Sequence, residues 1–189
     1  MRLAIIVICI FVTLSCSPLD YTNRCSKLID SRNYEKAIEI CTNAIETNPT
    51  QSGLYNERGI AKENLGYFEE ALLDYDKAIE LNESAWFTYF NRCWVLGTLE
   101  RYNESLIDCD KATKINPKNA ILYAGRAQAK FNNGDKNGAL IDAKKAIELD
   151  PKEESHKYLY EMLNGSSIGD YIPEGEKVPK RIETKNIRI

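Results

Sequence analysis

Cysteine is the residue type in this chain with the widest chemistry, and its spacing repeats. The sequence encodes Cys9, Cys16, Cys25, Cys41, Cys93 and Cys109. Cys25 and Cys41 stand 16 residues apart, and so do Cys93 and Cys109. Four cysteines beyond Cys16 allow three disulfide connectivities, or four free thiols. No CxxC or HxxxH spacing occurs and His156 is the one histidine, so no metal site is expected. His156 is read as a surface residue. Asp74/Asp76 and Asp108/Asp110 look like paired carboxylates. Residues two apart on a helix point to different faces, so a solvated polar edge is expected rather than a shared proton or metal. There is no glycine-rich phosphate loop and no nucleophile elbow. The reading is a protein that is not an enzyme, with no cofactor and no small-molecule substrate. Lys+Arg total 25 against Asp+Glu 28, a formal charge of −3. Nucleic acid, which needs a strongly basic face, is therefore not an expected partner.

The elements that position these residues repeat as well. Tyr21, Tyr55, Tyr89 and Tyr123 recur every 34 residues, in phase with Arg24, Arg58, Arg92 and Arg126 and with Ala44, Ala78, Ala112 and Ala146. A constant period of this length means one supersecondary unit copied and stacked. The units are 18–51, 52–85, 86–119 and 120–153. In the second, Leu54, Tyr55, Ile60, Ala61 and Leu65 mark one helix and Gly66 breaks it. Phe68, Ala71, Leu72, Tyr75, Ala78, Ile79 and Leu81 mark the next, with apolar residues at three- and four-residue steps. Pro49, Pro117 and Pro151 end the second helices of units one, three and four. Unit two carries Glu83 there, so a slightly different junction is expected. Residues 152–163 can cap the stack through Tyr158, Leu159, Met162 and Leu163.

This pattern resembles the tetratricopeptide repeat. The matching residues are the Tyr at unit position 4 and the small residue at position 8 (Gly59, Ala127). Ala37, Ala71 and Ala139 match at position 20, the alanine series at position 27, and the proline at position 32. Ser105 takes the position-20 slot in unit three. Arg at position 7 departs from the family's Leu in all four units. The resemblance implies an all-α fold: a right-handed superhelical solenoid of four 34-residue helix-turn-helix repeats plus a C-terminal capping helix.

Within such hairpins the turn is centred near position 16, so positions 8 and 24 lie level on antiparallel helices. Those are the cysteine positions in units one and three. Repeat symmetry therefore favours the pairs Cys25–Cys41 and Cys93–Cys109, each adding about 3 kcal/mol by the loop-entropy estimate. The alternative is buried free thiols, because position 8 asks for a small residue.

The resemblance also implies that the first helix of each unit lines a concave face. By position, the ligand contacts expected there are Asn56, Phe87, Phe90, Asn91, Trp94, Gln128 and Phe131. Aromatic anchors beside amides suit a protein or peptide partner. A carboxylate clamp for chaperone C-termini is not expected, because Ile121 and Gly125 stand where it needs Lys and Arg.

The N-terminus points to export. Arg2 precedes an apolar run from Leu3 to Val12, followed by Thr13-Leu14-Ser15-Cys16. That is a signal peptide over 1–15, too short to span a bilayer comfortably. Its end resembles a bacterial lipobox, with Thr13 where the family usually has Leu, which makes Cys16 the lipidation site and 16–17 an anchor. Thr13-Leu14-Ser15 also fits ordinary cleavage and plain secretion. Residues 164–189 form a tail whose last dozen positions carry Lys180, Arg181, Lys185 and Arg188 against Glu183. A mobile tail, or a basic strip for anionic headgroups or a partner, both remain open. The expectation is an exported scaffold or adaptor, lipid-anchored at the cell envelope. By architecture it resembles small tetratricopeptide lipoproteins that help assemble envelope machines. The alternatives are a secreted adaptor and an accessory subunit of an envelope enzyme.

Overall fold

The computed structural model describes residues 18–165. They form α1 (Pro18–Asp30), α2 (Tyr34–Thr47), α3 (Ser52–Asn64), α4 (Phe68–Leu81), α5 (Trp86–Thr98), α6 (Tyr102–Ile115), α7 (Ala120–Asn132), α8 (Lys136–Leu149) and α9 (Glu154–Asn164). The leader, Cys16 and the tail beyond Gly165 lie outside the described residues. First helices begin at 18, 52, 86, 120 and 154, so α9 stands in the phase of a fifth unit. Despite Glu83, α4 has the same 14-residue length as α2, α6 and α8. Among the described residues no helix is long and apolar enough to cross a membrane.

Each hairpin closes through the same turn. The residue at position 15 adopts a left-handed backbone: Arg32 (φ 60°), Gly66 (83°), Glu100 (60°) and Gly134 (87°). Its N–H and the next one fold back onto the ending helix, as in Gly66 N–H to Glu63 O at 3.0 Å and Tyr67 N–H to Lys62 O at 3.0 Å. These bonds satisfy carbonyls left over at the helix C-terminus. Glycine takes this conformation freely; Arg32 and Glu100 take it against their Cβ.

Small residues then let the two helices close. A Cβ added at Gly59 would stand 2.6 Å from the Tyr75 ring, so the hydrogen of glycine is what admits the tyrosine. Ala127 and Ala143 are both fully buried at the same two positions. In units one and three the cysteines fill them, with Cα separations of 5.9 Å for Cys25–Cys41 and 5.5 Å for Cys93–Cys109 and their sulfurs at bonding distance. Stacking continues outward from the hairpins. First helices of neighbouring units touch (α1 with α3, α3 with α5, α5 with α7, α7 with α9), and second helices make no contact of comparable extent. The first helices therefore form the inner layer and the second helices splay apart outside it.

The recurrent arginine ties both levels together. Arg58 donates from Nε and Nη2 to the Asp74 carboxylate at 2.9 and 2.6 Å, across its own hairpin. Arg92 grips Asp108 at 2.7 and 2.8 Å, and Arg126 grips Asp142 at 2.7 and 2.7 Å. The remaining Nη1 reaches back to the preceding unit: Arg58 to Thr42 at 3.1 Å, Arg92 to Asp76 at 2.6 Å, Arg126 to Asp110 at 3.1 Å. Each guanidinium also lies over the tyrosine three residues earlier, 5.3–5.8 Å from the ring centroid. The polar-edge reading of the aspartate pairs is corrected here. Asp76 and Asp110 are exposed, but Asp74, Asp108 and Asp142 are buried acceptors. Residues two apart do face apart, and the inner one of each pair faces an arginine. Burial pushes the Asp108 carboxyl up while the Arg92 contact opposes it; the same hydrogen bonds hold Arg92 well above the usual guanidinium range.

Two consequences are measurable by urea denaturation. Asp108→Ala strands a half-buried guanidinium and is expected to cost about 2–3 kcal/mol, whereas Asp76→Ala, on the exposed side, is expected to cost less than about 1 kcal/mol; equal losses would contradict the assignment. Glu100→Gly relieves the left-handed strain and is expected to raise stability by up to about 1 kcal/mol, where Gly66→Ala lowers it.

Candidate functional site

The inner layer is built from α1, α3, α5 and α7, and the seven expected contact residues divide on it. Asn56 and Phe90 are buried. Asn56 Oδ1 accepts from Thr88 Oγ1 at 3.1 Å and from Asn91 Nδ2 at 3.2 Å, so its amide bridges α3 to α5. Phe90 lies where a side chain at Gly125 would otherwise be: a Cβ there would meet its ring. Both residues therefore act in packing between units, a correction to the set read from position alone. Helix-face patterns assign residues to the inner layer but do not show how deeply the next unit covers them.

The other five reach the surface. Phe87 is half-buried and meets Trp86 edge to face, ring centroids 5.9 Å apart. Asn91 is half-buried and donates to Asn56. Gln128 donates to Asn132 Oδ1 at 2.9 Å along α7. Trp94 is half-buried on α5 and Phe131 is 41% exposed near the end of α7. Trp94 and Phe131 belong to none of the hydrophobic clusters of the described residues, whereas Phe87 packs against one of them. The inner face thus offers large aromatic surface on α5 and α7 with amides between.

Gly125 also bears on what the groove can hold. A carboxylate clamp needs a long cation at this position, and the Phe90 ring fills that space. Position 121 carries Ile. The groove is built for contacts other than a clamped terminal carboxylate.

His156 departs from the surface reading. It is buried on α9, and its Nδ1 finds no hydrogen-bond partner. The physical reason is phase. Position 3 holds Leu54, Thr88 and Leu122, all buried, and His156 stands 34 residues beyond Leu122. Sequence reasoning also missed the Arg–Asp pairs, although the signal was present: each is 16 residues apart, the same separation as the cysteines.

Solved structures place the fold among known ones. The chain is similar to MamA (residue 41 to the end) from Desulfovibrio magneticus RS-1, with 20% identity, TM-score 0.71, 78% of this chain and 84% of that one covered. It is similar to PilF of Pseudomonas aeruginosa, with 16% identity, TM-score 0.72 and coverage of 77% and 67%. The first TPR of Spaghetti (RPAP3), bound to the HSP90 peptide SRMEEVD, aligns at 20% identity, TM-score 0.59 and coverage of 61% and 91%. Comparison with curated protein sequences finds no match. The family model of the tetratricopeptide repeat matches residues 52–84, 88–119 and 120–153, over half of the sequence. On that match and on its in-phase helix pairs, the chain belongs to the tetratricopeptide repeat family.

Proposed function

We propose that the protein is a scaffold, not an enzyme, that captures an extended or helical peptide segment of a protein partner on its inner face. One observation carries this reading. After the hairpins have stacked, Trp94 and Phe131 still present aromatic surface outside the core clusters, beside the amide of Gln128. Large rigid aromatics at a groove are the usual anchors of such contacts. Peptide capture by the RPAP3 repeats supports the class of ligand. The chemistry differs, because no clamp can form around Gly125.

The finer proposal concerns place. The segment over 1–15 is a leader, and Cys16 is the acylated first mature residue, so the array starts at a membrane surface of the cell envelope. Two cysteine pairs at bonding distance suit an oxidising compartment, which an exported protein reaches. The same residues, Thr13-Leu14-Ser15, suit ordinary cleavage, and then the adaptor is secreted without lipid.

Panning the whole chain against a displayed random-peptide library, then titrating selected peptides, tests the groove. Trp94→Ala and Phe131→Ala are expected to weaken binding at least about tenfold each, equivalent to about 1.4 kcal/mol, with the melting temperature little changed for exposed Phe131. Undiminished affinity in both variants removes the inner face from consideration. Radiolabelled palmitate is expected to enter the wild type and not Cys16→Ser; label in neither means secretion without an anchor.

A further inference from the structure

The outer side of the stack carries a feature that hairpin packing does not require. Leu73, Ile107 and Ile141 occupy one register position on α4, α6 and α8, and they are 69%, 66% and 69% exposed. Isolated exposed aliphatics are ordinary, but three in line along successive helices form a stripe. Because second helices splay, a cleft of about 430 Å3 opens between α4 and α6, with Leu73 and Ile107 in its lining. Four carboxylates and two guanidinium groups share that lining, so the cleft is net acidic.

Charge changes along this side. The exposed or half-buried charges of α4 are Glu69, Glu70, Asp76 and Glu80 against Lys77, and those of α8 are Lys136, Lys144 and Lys145 against Glu148. The sequence beyond α9 changes in the complementary order. Residues 166–177 carry Asp170, Glu174 and Glu176 against Lys177; residues 178–189 carry Lys180, Arg181, Lys185 and Arg188 against Glu183. The second half also holds Ile182, Ile187 and Ile189.

Geometry permits the match. Helix α9 packs against α8, so the chain leaves the array beside the basic helix. Twelve residues can extend about 40 Å at about 3.3 Å each. Crossing α8 and α6 to the cleft needs roughly 20–30 Å at 8–10 Å per packed helix. An acidic half laid over α8 would deliver the basic, isoleucine-bearing half to the acidic cleft.

We propose that residues 178–189 dock, within the same molecule, in the cleft between α4 and α6. Their isoleucines cover Leu73 and Ile107, and their lysines and arginines meet the surrounding carboxylates. The site lies on the side away from Trp94 and Phe131, so docking leaves the inner face open. It also withholds the basic strip from other anionic surfaces, and salt weakens it because the charge contacts are exposed.

The test uses the whole chain with a benzoylphenylalanine photocrosslinker at Ile187. Crosslinks within single molecules to α4 or α6 are expected, together with amide exchange of 178–189 slowed at least tenfold relative to the Leu73→Asp/Ile107→Asp variant. Reversing the tail charges (Lys180→Glu, Arg181→Glu, Lys185→Glu, Arg188→Glu) is expected to abolish both signals. That variant leaves the repeats untouched and carries the test if the aspartate substitutions disturb folding. Unslowed exchange, crosslinks to α5 or α7, crosslinks between two molecules, or protection only with anionic phosphatidylglycerol vesicles would each overturn the proposal. Loss of peptide capture in Trp94→Ala has no bearing on it.

Discussion

A guanidinium held between three helices is the contact on which this stack depends. Two of its N–H groups fix the level of the partner helix within the hairpin, and the third fixes the preceding hairpin. A hydrophobic pair at these positions would hold the helices about as firmly, since desolvating two charges offsets much of their attraction. What the charged pair adds is direction. Arginine offers donors in a planar fork, so a carboxylate one turn out of register leaves donors unpaired in a half-buried place. The tyrosine under each guanidinium limits it from a further side. Register between units is therefore set by geometry, where apolar faces alone would tolerate sliding.

The same logic explains why the ladder stops. In unit one, Ile40 stands where later units have the buried aspartate, and Arg24 lies exposed over Tyr21. In unit four, Lys144 stands where Asp76 and Asp110 accept from the following arginine. Another copy stacked end to end would set Arg24 against Lys144, a like-charge contact. At the C-terminal end α9 adds apolar cover through Leu159 and Leu163, and Tyr160 replaces the arginine of its phase. The ends close by removing the acceptor at one and the donor at the other.

How far this was legible follows from which residues carry periodic signals. Tyrosine, arginine and alanine at constant spacing revealed the hairpins, their boundaries and the cap, because an exact period admits one helix-pair template. The level of positions 8 and 24 followed from the turn, and the cysteine pairs with it. Phe90 and Asn56 were misplaced because their burial comes from the next unit: the missing side chain at Gly125 makes room for one, and Thr88 with Asn91 satisfies the other. Those are contacts between residues 32 to 35 positions apart, set by how hairpins nest. His156 and the inner aspartates were misread for a different reason. Polar residues in buried slots break the apolar pattern that marks a slot as buried, and only phase with the other units identifies them.

A second period underlies the first. Units one and three share three features: a cysteine pair, Leu at position 11 (Leu28, Leu96) and a non-glycine residue in the left-handed turn (Arg32, Glu100). Units two and four share the opposite set: no cysteine, Lys at position 11 (Lys62, Lys130) and glycine in the turn (Gly66, Gly134). In the second set the lysine joins the arginine on the buried aspartate, at 2.9 Å to Asp74 and 2.8 Å to Asp142. Each class thus holds its hairpin by a different supplement to the common arginine. One has a relaxed turn and a second cation on the carboxylate. The other has a turn strained by about 1 kcal/mol or more and a pair of sulfurs at the level where the helices are nearest. A covalent link would offset that strain several-fold, so the hairpins with the costlier turns are those placed to carry it. The arrangement makes the 68-residue pair, and not the single hairpin, the unit in which turn strain and cross-helix attachment balance.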